Sequence, residues 1–330
     1  MSGLKQIMYG VTDFARMRAE NAYFVDRTDL IRELEKTSYT VFLRPRRFGK
    51  SLLVSILQCY YDVDYAHRFE ELFGGLKIAA NPTAERGRYL ALIFNFSGVD
   101  KRLEFVQESF DEHCRLVIDQ FARHYAARLP AGVSETVLAA PSCGAKLNAL
   151  YTGLTGSGVR LYVFIDEYDN FANTILAEHG TEAYNALCHG EGFFKQFFTE
   201  LKLATTGTDA PVTRLFITGV SPVTLDDVTS GFNIGANVSV DPGLAELTGG
   251  SSMGEIAFRI PNLTVAEFMQ DFNPKAYEGP VGIVSAARSL TLMCGIMMRF
   301  YCSCTSKMMH VLVWRDAPFS ARGAAAVFLI

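Results

Sequence analysis

Several things are missing or scarce in this chain, and each absence removes a class of protein. The 7 cysteines (Cys59, Cys114, Cys143, Cys188, Cys294, Cys302 and Cys304) are odd in number and form no CxxC pair. That pattern favours reduced thiols over a disulfide scaffold. Cys302, Cys304 and His310 stand close together, but their spacing is wrong for a zinc finger, so incidental thiols are expected. Residues 1–8 carry no apolar core, which predicts that no signal peptide opens the chain. The most apolar stretch, 289–298, lies between Arg288 and Arg299 and is too short to cross a bilayer. No repeat or low-complexity block is evident. A net charge of −4 argues against a sequence-independent nucleic-acid footprint over the whole surface. These absences predict a soluble, cytoplasmic protein without a membrane partner.

What is present is a substantial apolar core. At 330 residues, 49% hydrophobic and 12% aromatic, the chain can hold one large domain or two ordinary ones. Tyr39-Thr40-Val41-Phe42-Leu43 is β-branched and aromatic, as a buried strand requires. Then comes Arg44-Pro45-Arg46-Arg47-Phe48-Gly49-Lys50-Ser51, and after it an apolar helix over 52–58. Strand, tight loop, Gly-Lys-Ser and helix form the order of a phosphate-binding loop. Arg44, however, stands where the general pattern asks for glycine. An ordinary β–α turn with Lys50 on the surface is the alternative.

A second motif supports the first. Leu161-Tyr162-Val163-Phe164-Ile165 is an uninterrupted apolar run ending in Asp166 and Glu167. Such a run suits a strand buried on both faces of a parallel sheet, with its acids in the ligand crevice. Asp166 with Ser51 then holds Mg²⁺, and Glu167 activates water; the bland reading is that one acid caps the next helix. Leu215-Phe216-Ile217-Thr218-Gly219-Val220 is a further strand. Its Thr218 either senses the γ-phosphate, with Ser221 behind it, or is satisfied by strand-end backbone.

The remaining pattern is α/β. Helices are expected over 28–35 (capped near Thr28 or Asp29), 103–128, 146–154 and 193–203, with a strand over 89–96 and a loop over 130–141. Phe194, Phe197, Phe198 and Leu201 read as the buried stripe of the 193–203 helix rather than a binding platform.

These residues resemble the AAA-ATPase-like proteins of bacteria, whose loop reads R-P-R-R-F-G-K-S. Tyr9-Gly10, Phe14 and Tyr23-Phe24-Val25-Asp26-Arg27-Thr28 are similar to that family's opening, with Arg27 in place of its lysine. Phe164-Ile165-Asp166-Glu167-Tyr168-Asp169 resembles its acidic strand, Ile217-Thr218-Gly219-Val220-Ser221-Pro222 its sensor strand, and Phe232-Asn233-Ile234 also fits. Arg44 belongs to the family's own loop. The resemblance implies an AAA-like P-loop NTPase core over 1–249, a three-layer sandwich on a largely parallel sheet. Arg44, Pro45, Arg46, Arg47, Phe48, Gly49, Lys50, Ser51 and Leu52 are then the ATP-binding segment. Lys50, Glu167 and Thr218 are the catalytic set, and Ser51 and Asp166 the Mg²⁺ ligands. Arg46 or Arg47 reaches phosphates or a neighbouring subunit, with solvation expected for at least one. Tyr23 or Phe24 packs near the base.

Past Leu247-Thr248-Gly249 the likeness stops. Most methionines and three cysteines fall in 250–330, and no strand with a paired acid and Glu-x-Lys follows. The nuclease-like module common in the family is therefore not claimed, and nucleic acid enters only by family analogy. The tail reads either as truncated or aberrant, or as a divergent helical lid. Three functions stay open: an ATPase coupled to conformational change, a nucleotide-gated switch acting through a homo-oligomer or protein partner, and an inactive fragment.

Overall fold

The computed structural model describes residues 10–22, 24–46, 48–190, 192–221, 235–239, 241–244 and 247, together with 311–313 and 327–329. Expectations for Tyr9, Tyr23, Arg47, 232–234 and most of 250–330 lie outside the described residues. The chain divides into two compact units, Ile7–Ser252 on one side and Met1–Gln6 with Met253–Ile330 on the other.

The larger unit runs α1 (Phe14–Ala19), α2 (Ile31–Leu34), β1 (Tyr39–Leu43), α3 (Lys50–Tyr61), α4 (Phe69–Phe73) and β2 (Leu90–Asn95). It continues with α5 (Val106–His124), α6 (Val133–Ala139), α7 (Cys143–Leu154), β3 (Leu161–Asp166) and α8 (Asn170–Cys188). α9 (Phe193–Leu203), β4 (Val212–Gly219) and β5 (Ala236–Asn237) complete it. The smaller unit's described residues are two antiparallel strands, β6 (Val311–Val313) and β7 (Val327–Leu329).

The 5 strands of the larger unit form one parallel sheet in the order β2-β3-β4-β1-β5. Side chains alternate across a strand, so each strand feeds two cores. Val41, Leu92, Val163, Ile165 and Ile217 pack under α5 to α9. Phe42, Ala91, Tyr162, Phe164 and Phe216 pack under α1 to α4. The result is helices, sheet, helices, the three-layer α/β fold expected of a P-loop NTPase. Both faces of the sheet are covered, which explains why β3 is apolar from end to end.

The aromatic stripe on α9 is core: Phe194, Phe197, Phe198 and Leu201 are all buried. The 103–128 helix is shorter, starting at Val106, and Leu103 and Phe105 are exposed. Neither Thr28 nor Asp29 caps the helical turn that starts at Thr28. Asp26 Oδ1 does, accepting from the Thr28 amide at 3.0 Å and its hydroxyl at 2.7 Å. The stretch expected to be a loop, 130–141, contains α6. Gly132, at φ 81°, turns the chain into it, and Val133 and Val137 bury one turn apart. Buried Lys146 closes its far end, donating to the carbonyls of Val137 at 3.0 Å and Leu138 at 3.1 Å. The four cysteines among the described residues, Cys59, Cys114, Cys143 and Cys188, are buried and in no disulfide. No helix among the described residues is long and apolar enough to cross a membrane.

Candidate functional site

The site forms where the sheet's carboxyl ends meet the first turn of α3. Alternation places it there. Asn95 and Asp166 end β2 and β3, and Thr218 is the last residue but one of β4; they are in step with Ala91, Phe164 and Phe216, so all three face the α3 side. β4 lies between β1 and β3, so the strand of Thr218 touches both the loop strand and the acidic strand.

Gly49 begins α3 with φ 77°, a left-handed conformation that glycine adopts without steric cost. Lys50 is 4% exposed; its Nζ donates to the carbonyls of Arg44 at 3.1 Å and Pro45 at 3.2 Å. Burial pushes the Lys50 pKa down, while Glu167, Asp166 and Asp169 oppose that shift. Ser51 Oγ donates to Asp166 Oδ2 at 2.6 Å, closing a gap of 115 residues in sequence. Asn95 Nδ2 donates to the same oxygen at 3.3 Å.

Asp166 is 2% exposed, and its Oδ1 has no hydrogen-bond partner. Burial raises its pKa, helped by Glu167 and opposed by the Ser51 hydroxyl and Lys50. An orphaned buried carboxylate oxygen beside a serine hydroxyl is an oxygen donor set of the kind Mg²⁺ prefers. One carboxylate is enough, because phosphates and water fill the other positions. Among the described residues no group of three or more His, Cys, Asp and Glu could hold a metal.

Glu167, half-buried, sits at φ 56°, which is unusual for a residue with a Cβ. It does not cap α8 through its side chain; its carbonyl accepts from the Asn170 amide at 3.1 Å. Thr218 is fully buried with an unpartnered Oγ1. Strand-end backbone does not satisfy that hydroxyl.

The rest of the loop divides. Arg44 points out of it: the guanidinium lies 4.2 Å above the Phe42 ring and donates to Leu43 O at 2.9 Å and Ser239 O at 2.7 Å. Pro45 and Arg46 are exposed, Phe48 is half-buried, and Leu52 is a core residue. Phe24 packs on Phe14, with ring centroids 5.5 Å apart.

A cavity of about 250 Å³ opens beside Ser51 and Asp166, lined also by Thr12, Asp13, Ser55, Gln58 and Asn95. A larger one, about 340 Å³, lies at the other end of the sheet among Tyr151, Thr155, Glu200 and Asp209. The smaller cavity is the one at the end of the sheet that carries the buried acid, the loop lysine and the unpartnered hydroxyl.

Sequence reasoning did not single out Asn95, Asp169 or Gly219. Asp169 is 2% exposed, and its carboxylate accepts from the amides of Val220 (3.0 Å) and Ser221 (2.6 Å). A Cβ on Gly219 would collide with the Tyr168 ring and lie 2.5 Å from Asp169 Oδ1. Asn95 was findable from its place at the end of a strand. Asp169 carried no signal beyond being a third acid in the run.

No curated protein and no solved structure matches the chain. The family described as predicted AAA-ATPase matches residues 8–229, about two thirds of the sequence and all of the described site up to Ser221. With loop, acidic strand and intervening strand all inside the matched region, the chain belongs to the AAA-ATPase-like family.

Proposed function

We propose that this chain binds ATP with Mg²⁺ and hydrolyses it, coupling turnover to a change in the phosphate loop and the acidic turn. The observation that carries the reading is the Ser51–Asp166 hydrogen bond. It brings the two sequence motifs to one point, beside the loop lysine.

Lys50 is held by two loop carbonyls and can exchange them for phosphate oxygens, a charge-assisted and stronger pairing. Ser51 and Asp166 would hold Mg²⁺, which, when bound, supplies positive charge to the phosphate oxygens. Glu167, next to Asp166 and half-buried, takes the proton of the attacking water. Thr218 donates its unused hydroxyl toward the γ-phosphate or that water. Phosphoryl transfer asks mainly for such positioning and charge, and little covalent chemistry. The four buried cysteines in no disulfide fit a reducing, cytoplasmic compartment. Exposed Arg46 is the described loop residue best placed to reach a partner or a second copy.

The test is Mg²⁺-dependent ATP binding and hydrolysis with two variants. Lys50→Ala should weaken binding about 100-fold, the loss of a charged hydrogen-bonded contact of roughly 3 kcal/mol. Glu167→Gln should keep binding and slow turnover by about 10²–10⁴. Tight binding without turnover in the wild type would favour a nucleotide-gated switch. No binding by the folded wild type would reject the reading.

A further inference from the structure

The acidic turn is tied to the end of the sensor strand by bonds that no role assigned so far uses. Asp169 is the hub. Its Oδ2 accepts from Val220 N at 3.0 Å, Ser221 N at 2.6 Å and Asn173 Nδ2 at 2.8 Å, and Oδ1 accepts from Val220 N at 3.2 Å. Tyr168 adds two ties: its amide donates to Thr218 O at 3.2 Å and its hydroxyl to Ser221 O. Gly219 has no Cβ because the Tyr168 ring and the Asp169 carboxylate occupy that space. On the other side, Gly219 O accepts the Arg44 amide at 3.1 Å, so the start of the phosphate loop hangs from the same stretch, Thr218 to Ser221.

Between these ties stands Glu167, whose backbone is in the left-handed region. A non-glycine residue there is strained and persists only where its surroundings over-determine it. The amide of Tyr168 and the carboxylate of Asp169 fix the chain immediately after Glu167, and β3 fixes it before. We propose that Asp169, with Tyr168, is the positioning residue that sets Glu167 for catalysis and links its placement to the Thr218 strand and the phosphate loop.

The inference rests on the hydrolysis reading above and adds a residue to it. A carboxylate suits the task because its lone pairs can meet several N–H groups at once. An asparagine has one oxygen, and its NH₂ would face an amide hydrogen. Small misplacements of a catalytic group of this kind cost about 100-fold in rate.

The experiment measures steady-state kcat and KM, single-turnover rates and MgATP affinity on the full chain. The variants are Asp169→Asn, Tyr168→Phe, Glu167→Gln and the Asp169→Asn/Glu167→Gln double. Asp169→Asn should lower kcat about 100-fold while KM and affinity stay within about threefold, since the hydrogen bonds of Lys50 and Ser51 do not involve Asp169. In the Glu167→Gln background it should cost nothing further, because it acts through that residue. Tyr168→Phe should lower kcat several-fold with affinity unchanged, and it decides the matter if Asp169→Asn does not fold. Unchanged kcat in the folded variants, a rise in KM alone, or losses that multiply in the double variant would each overturn the positioning role. Wild type that binds ATP without turnover would overturn the hydrolysis reading and this inference together. Wild type that turns over while the variants match it would overturn this inference alone.

Discussion

The two ends of the sheet differ in how their polar groups are met. At the amino end of the strands, a cluster of half-buried polar groups pairs within the chain, with Thr213 Oγ1 the unpartnered exception. Tyr61 OH donates to Glu35 at 2.9 Å, and Thr83 Oγ1 donates to the same oxygen at 2.6 Å. Arg214 donates to Tyr89 OH at 3.2 Å and to Glu35 O at 3.1 Å, while Arg160 pairs with Glu85 at 3.0 Å. At the carboxyl end, Asp166 Oδ1 and Thr218 Oγ1 are buried without a partner, and Lys50 and Asp166 both have pKa values pushed toward their neutral forms by burial. An unmet buried polar group costs about 1–3 kcal/mol. The amino end is therefore mostly paired within the chain, while the carboxyl end carries its cost on an acid and a hydroxyl where a ligand can offset it.

The sharpest way to break that contrast is to add volume where the site end is tight. Gly219→Ala places a methyl against the Tyr168 ring and Asp169. Neither can retreat without breaking bonds to Val220 and Ser221, so a loss of about 3 kcal/mol is expected from overpacking. Chemical denaturation checks it; a cost below about 1 kcal/mol would show that the strand end is loose.

Next is Tyr61→Phe at the other end. Deleting a hydroxyl bonded to Glu35 should cost about 1–2 kcal/mol and leave ATP affinity unchanged. Equilibrium unfolding and nucleotide titration together test the separation of the two ends. A change in affinity without a change in stability would erase it.

Asp166→Asn should do the reverse, raising stability while removing Mg²⁺-dependent nucleotide binding. The folded pKa of Asp166 lies above its unfolded value because burial disfavours the charge. Its contribution to stability is therefore greatest below the unfolded pKa and is lost as pH rises through the folded one. The stabilising effect of asparagine should appear near neutral pH, as a rise in melting temperature of about 2–4 °C per kcal/mol. It should vanish below about pH 4, where both forms are neutral. Melting curves across pH read both the size and the sign.

How much of this was legible beforehand depends on how local the cause is. β1 and α9 begin and end where periodicity puts them, because an apolar run and a helical stripe are each local signals. The stacking of Asn95, Asp166 and Thr218 on one face follows from strand parity once the strands are known. α6 was not readable, since a 7-residue helix between prolines has little pattern and depends on Lys146 from the next helix to close it. α8 escaped because Gly180, at φ 80°, breaks it in the middle. The family resemblance puts Arg44 in the ATP-binding segment, and only packing reveals that Phe42 and Ser239 take its guanidinium. Asp169 is the same case: its partners lie 51 and 52 residues away on the neighbouring strand end, beyond any local pattern.

Thr218→Val is the smallest change and the one that isolates the contrast. Threonine and valine are nearly the same shape and both favour strands, so β4 keeps its packing between β1 and β3. The substitution removes a buried hydroxyl that has no partner, so it should leave stability unchanged or raise it by up to about 1 kcal/mol. A hydroxyl made only to satisfy the strand would then be dispensable, and turnover would not move. If instead it serves the γ-phosphate or the water, kcat should fall about tenfold, one lost hydrogen bond of roughly 1.4 kcal/mol in the transition state. Stability held or gained together with turnover lost is the expected pair. It would show a polar group kept at this end of the sheet against the interest of the fold.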